Sequence, residues 1–154
     1  MTPPLRRTLL AVTAFLGLYV GGWSAFAPQS FYDSFPGLGF IWISIDGAYN
    51  EHLIRDVGTL NLGLAAATIF AAFLRGDAAL AASRTVGIAW VVFSVPHLAY
   101  HLQHLDGLGP VDVAAQIVSV ASTGVLGLLL MLDDVKARVR RVGRSTSSAP
   151  PRSG

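Results

Sequence analysis

Residues Arg84–Leu105, RTVGIAWVVFSVPHLAYHLQHL, form an apolar stretch of membrane-crossing length that ends in a run of histidines. At 1.5 Å per residue, a helix of about 20 residues covers the ~30 Å hydrocarbon core of a bilayer. Three comparable stretches lie around it: Thr8–Ala27, Leu53–Leu74 and Val111–Leu132. All are long and rich in Ala and Leu, which suits helices and not strands. The expected fold is all-α, an antiparallel bundle of four transmembrane helices. It forms a membrane domain over residues 1–135, followed by a basic, disordered cytoplasmic tail over residues 136–154.

Composition agrees with a membrane class. Hydrophobic residues make up 53% of the 154, and the mean hydropathy is +0.55, more than a water-soluble domain of this size hides. The charges are segregated. Arg6 and Arg7 precede the first stretch, Arg75 and Arg84 flank the second connection, and Lys136, Arg138, Arg140, Arg141, Arg144 and Arg152 follow the fourth. With these on one side, only Arg55 of the eleven basic residues falls on the other. By the positive-inside rule both termini are cytoplasmic. The expected location is the bacterial inner membrane, with the lipid bilayer as the main partner. A homo-oligomer or another membrane protein is a further candidate partner, and nucleic acid is not implied. With no cysteine, disulfides and thiolate sites are excluded.

The first stretch carries Gly17 and Gly21, with Gly22 adjacent, at a spacing that lets helices approach closely in lipid. Ala25-Phe26-Ala27 resembles a signal-peptidase site, but Pro28 directly after it disfavours cleavage, so the helix is expected to be retained. The following segment, Pro28–Asn50, is dense in aromatics, Gly and Pro. It is expected outside the cytoplasm, either as an interfacial anchor or as a lid over a site. The inner connection at Arg75–Asp77 and the outer one at Asp106–Pro110 are short, as antiparallel neighbours require.

The polar residues gather at one end. His97, His101 and His104 are spaced i, i+4 and i+7 on one helical face. Asn50 is placed to cap the second helix, where Glu51 suits the positive helix terminus. His52 and Asp56, like Glu51 and Arg55, are i, i+4 neighbours. Asp112 and Gln116 begin a polar stripe on the fourth helix. The run from His97 to His104 spans ~10 Å, too far for one ion to take all three. A metal reading therefore pairs His97 with His101, or His101 with His104, and completes the shell from His52, Asp56 or Glu51, with Zn or Cu as the candidate ions. Arg55, Asp112 and Gln116 are the candidate ligand-binding groups beside them. The competing structural reading makes these groups interfacial or cross-helix polar contacts. A third reading is acid–base chemistry, to which imidazole is suited. Pro96 is expected to kink the third helix, and Asn61 to act as polar glue between helices.

The motifs Tyr49-Asn50-Glu51-His52-Leu53-Ile54-Arg55-Asp56-Val57-Gly58 and Pro96-His97…His101…His104, with the aromatic loop Phe31–Pro36, resemble small bacterial four-helix membrane proteins of the DUF4345-like group. The layout is more distantly similar to DoxX-like proteins. The DoxX-like layout implies a membrane component sometimes associated with redox or thiol-stress systems, and the resemblance carries over no catalytic residue. Three functions fit the sequence. The first is a His- and acid-rich extracytoplasmic pocket for a metal ion or small polar ligand. The second is a membrane-embedded acid–base enzyme acting on a lipid or quinone-like substrate. The third is a structural or scaffolding subunit.

Overall fold

The computed structural model describes residues 1–132, and the basic tail expected over 136–154 lies outside the described residues. Four long helices, α1 (Pro3–Phe26), α3 (Glu51–Phe73), α4 (Gly76–Gln103) and α5 (Pro110–Leu130), are each long and apolar enough to cross a membrane. A short helix α2 (Pro28–Ser34) and a hairpin of β1 (Pro36–Gly37) with β2 (Phe40–Ile41) fill the connection between α1 and α3. The third span begins well before Arg84. Gly76 at φ +61° lets the chain turn directly from α3 into α4, so the inner connection shrinks to Leu74 and Arg75. Pro96 does not end α4, which continues to Gln103.

Small residues set how the helices meet. A Cβ at Gly21 would lie 2.8 Å from the Leu62 amide nitrogen, and one at Gly58 would lie 2.4 Å from that of Ala25. Gly17 faces Ala65 and the indole of Trp90. As the number rises along α1 it falls along α3, so the two run antiparallel in near-backbone contact. The second tight pair is α4 with α5, where Gly87 and Gly127 each face the other's carbonyl oxygen. Higher on the same pair, Ser94 and Thr123 share a 2.9 Å hydrogen bond between hydroxyls. In lipid, helix association depends on such contact and on cross-helix hydrogen bonds, because burying apolar area no longer drives it.

At the end holding the N-terminus, Leu10, Ala71, Val86, Trp90 and Leu130 form the buried core cluster. Trp90 donates to the Thr68 hydroxyl at 2.9 Å, linking α4 to α3. Buried hydroxyls elsewhere are satisfied within their own helix, as where Thr13 bonds the Leu9 carbonyl and Ser83 that of Ala79. Large side chains such as Phe15, Phe70, Phe73, Val92 and Val118 point outward. An outward apolar surface is what lipid requires and what water would penalise.

Candidate functional site

At the other end the bundle is less tightly filled. Between α1, α3, α4 and α5 lies a cavity of about 460 Å³ whose walls are mostly apolar, including Leu16, Val20, Ile54, Trp90, Phe93 and Val120. Its polar lining comes from Asp46, Asn61, His97, His101, Gln116 and the hydroxyl residues Ser119, Ser122 and Thr123.

The α1–α3 connection roofs this space. Phe31, Phe35, Pro36, Trp42 and Ile43 line the cavity from above, and Phe31 and Trp42 are buried. Tyr19 donates its hydroxyl to the Pro36 carbonyl at 2.9 Å, fastening the hairpin to α1. On the far side the Trp42 indole N–H donates to Asp112 Oδ1 at 3.2 Å, fastening it to the first turn of α5. Packed rings run from Trp23 through Phe31 and Phe35 to Trp42, edge-to-face at both ends and tilted between Phe31 and Phe35. In the structure this segment covers the cavity. Phe40–Ile41 pairs antiparallel with Pro36–Gly37. The left-handed backbone at Gly37, Leu38 and Gly39 makes the turn between them.

On α4, His97 and His101 meet through their Nε2 atoms at 2.9 Å. His101 is buried, while Phe93 packs edge-on against His97. His104 does not join them. It caps the exposed end of α4, its Nδ1 2.8 Å from the Tyr100 carbonyl and its ring stacked on Tyr100. Gln116 of α5 is buried on the opposite wall. Two buried polar atoms here have no hydrogen-bond partner, His101 Nδ1 and Gln116 Oε1.

No family model, curated protein or solved structure matches this chain. The site is therefore read from its own geometry.

That geometry departs from the expectation that Glu51–Asp56 forms the wall facing the histidines. The α3 residues on the cavity are Leu53, Ile54, Val57 and Asn61. His52 and Asp56 pair with each other at 3.3 Å on the exposed face. Glu51 accepts from Arg55 Nε at 2.8 Å. Shared spacing put these residues on one stretch of helix, but α1 packs so closely against Gly58 that the charged face turns outward. Among the described residues no three His, Asp or Glu side chains converge as a metal site would need. Asp112, expected as a site ligand, fastens the lid. Asn61, expected as inter-helix glue, bonds the Val57 carbonyl of its own helix and lines the cavity.

Arg55 also has a role that spacing did not suggest: it donates to the Ala25 carbonyl at the end of α1. A helix C-terminus leaves carbonyls unpaired and carries partial negative charge, which a guanidinium offsets. Arg55 is about half exposed, so the effect is modest. Arg55→Met is expected to cost ~1 kcal/mol. His52→Ala, which breaks only an exposed pair, is expected to stay within ~0.5 kcal/mol of the parent. Denaturant midpoints of the detergent-solubilised variants measure both. Equal midpoints for the two would contradict the capping role.

Proposed function

We propose that this chain is a multi-pass membrane protein that binds a lipid-soluble small molecule in the lidded cavity. The observation that carries this reading is the cavity itself. Its volume falls in the ~300–1,000 Å³ range of small-molecule sites, and its apolar walls hold a few polar groups able to orient a ligand. Leu53 and Val57 of α3 and Tyr100 of α4 line the cavity while remaining partly exposed, which favours entry from the side of the bundle. A small polar ligand or a metal ion suits such walls poorly, since it would lose hydration without enough partners.

The lid end faces the extracytoplasmic side of a bacterial inner membrane in this reading. Arg6, Arg7, Arg75 and Arg84 support that orientation, because they sit at the opposite ends of their helices. A ligand-holding protein of this kind would serve as an accessory in a membrane redox or envelope system. The pairing of His97 with His101 favours a second reading, an acid–base enzyme acting on the same lipid-soluble class. Adjacent imidazoles on a cavity wall can accept a proton from a bound molecule and return it.

The test is extraction of the purified protein in a mild detergent, followed by mass spectrometry. One apolar small molecule is expected to co-purify in near-stoichiometric amount. It should be absent from Val120→Trp, whose indole would fill the cavity from α5. A lipid profile identical in both preparations would overturn the reading.

A further inference from the structure

We infer that the polar head of the cavity's ligand is a hydroxyl group, held between His101 of α4 and Gln116 of α5. The inference rests on reading the cavity as a ligand site, and it follows from the donors and acceptors left over there. A neutral imidazole has one N–H and one lone-pair nitrogen. His97 and His101 spend one of each on the 2.9 Å contact between their Nε2 atoms. His101 Nδ1 therefore takes the role that its Nε2 does not. If Nε2 accepts from His97, Nδ1 carries a proton and donates; if Nε2 donates, Nδ1 accepts. On the other wall, Gln116 Oε1 is an acceptor.

Both atoms are buried without a partner, and their residues, 8% and 1% exposed, line the same cavity. Buried polar atoms are normally paired, because burying them unpaired is costly. The missing partner must accept from or donate to Nδ1, according to tautomer, and must donate to Oε1. A single hydroxyl does both when His97 donates to His101 Nε2 and Nδ1 carries the proton: its oxygen accepts from Nδ1–H and its one O–H donates to Oε1. An ether or carbonyl oxygen only accepts and leaves Oε1 unmatched. An ammonium only donates and leaves Nδ1–H unmatched, and a carboxylate only accepts and leaves Oε1 unmatched. With the Gln116 amide rotated to present its N–H and Nδ1 as the acceptor, one hydroxyl again matches both groups. Phe93, Trp90 and Val120 leave the remainder of the cavity to an apolar body. The ligand class is an apolar alcohol or phenol.

The test uses the full-length protein in lipid nanodiscs, titrated calorimetrically with 2-naphthol and with 2-methoxynaphthalene. Empty nanodiscs serve as the blank for partition into lipid. The two probes share a ring system, and only the first can donate. A preference of about tenfold for 2-naphthol is expected. In Gln116→Met, which keeps the shape and removes the acceptor, the preference should fall to within about threefold. Equal affinity of the parent protein for both probes would overturn the hydroxyl inference while leaving the cavity as a ligand site. Binding of neither would overturn the ligand-site reading as well. A full preference retained in Gln116→Met would overturn the place given to Gln116. The comparison of probes on the parent protein decides the inference even if that variant does not fold.

Discussion

Gly58→Leu is expected to prevent stable packing of α1 on α3, whereas Gly63→Leu on the same helix is expected to leave stability unchanged or raise it slightly. At Gly58 even the first side-chain carbon would lie 2.4 Å from the Ala25 nitrogen and 2.8 Å from its Cα. These are backbone atoms, so no side chain can move aside and the helices must separate. Separation also breaks the register at Gly21, which needs the same close approach to Gly58 and Leu62. It further removes the Ala25 carbonyl from Arg55. Overpacking in a well-filled core costs ~1–3 kcal/mol, and a clash with backbone belongs at or beyond the top of that range. Gly63 has no heavy atom within 4 Å of the position its Cβ would occupy. A leucine there faces the surroundings of the bundle and improves helix propensity by up to ~1 kcal/mol. Denaturant titration of the two detergent-solubilised variants measures the contrast. Equal midpoints would show that the α1–α3 contact does not depend on that glycine.

How much of this arrangement the residues announce depends on the kind of signal. The spans are legible because hydrocarbon thickness imposes a length, and a run such as Val111–Leu132 has no other low-energy use. Their ends are less so. The stretch expected as the third span starts at a charge, Arg84, but that residue lies within α4, where its Nε is 3.4 Å from the carbonyl of Met131, just past α5. The site was legible only in part. The i, i+4 spacing puts the His97 ring beside that of His101, because a helix alone fixes that geometry. Which face of α3 meets them depends instead on how α1 rotates α3. That rotation is written in the glycines and alanines of both helices together, not in the spacing of charged residues along one. The signal for it was present in Gly21 and Gly58, which leave little freedom once paired. Trp42 was legible only as an aromatic in an aromatic loop. Its link to Asp112 spans seventy positions, and no local pattern encodes a contact that distant.

That link gives the largest expected effect on binding. Trp42→Ala is expected to weaken 2-naphthol binding by on the order of 30–100-fold, chiefly through faster dissociation. The indole is buried in the roof, its ring packed near Phe35 and Phe40 and its N–H on Asp112. Truncation removes a large apolar wall and leaves the Asp112 carboxylate without that donor. It also frees the hairpin on its α5 side, leaving the Tyr19 hydroxyl and the rings around Phe35 to hold it on the α1 side. Losing ~2–3 kcal/mol from buried aromatic contact and one hydrogen bond corresponds to the stated range. Trp42→Phe separates the two contributions. It keeps most of the ring and loses the N–H, so a drop of about three- to tenfold is expected. Asp112→Asn, which can still accept from the indole, should remain close to the parent protein. Stopped-flow dissociation of 2-naphthol from nanodisc-held protein measures all three. If Trp42→Ala released the probe at the parent rate, the loop would be an interfacial anchor and not the roof of a site. The aromatic density of Pro28–Asn50 would then serve the membrane surface alone.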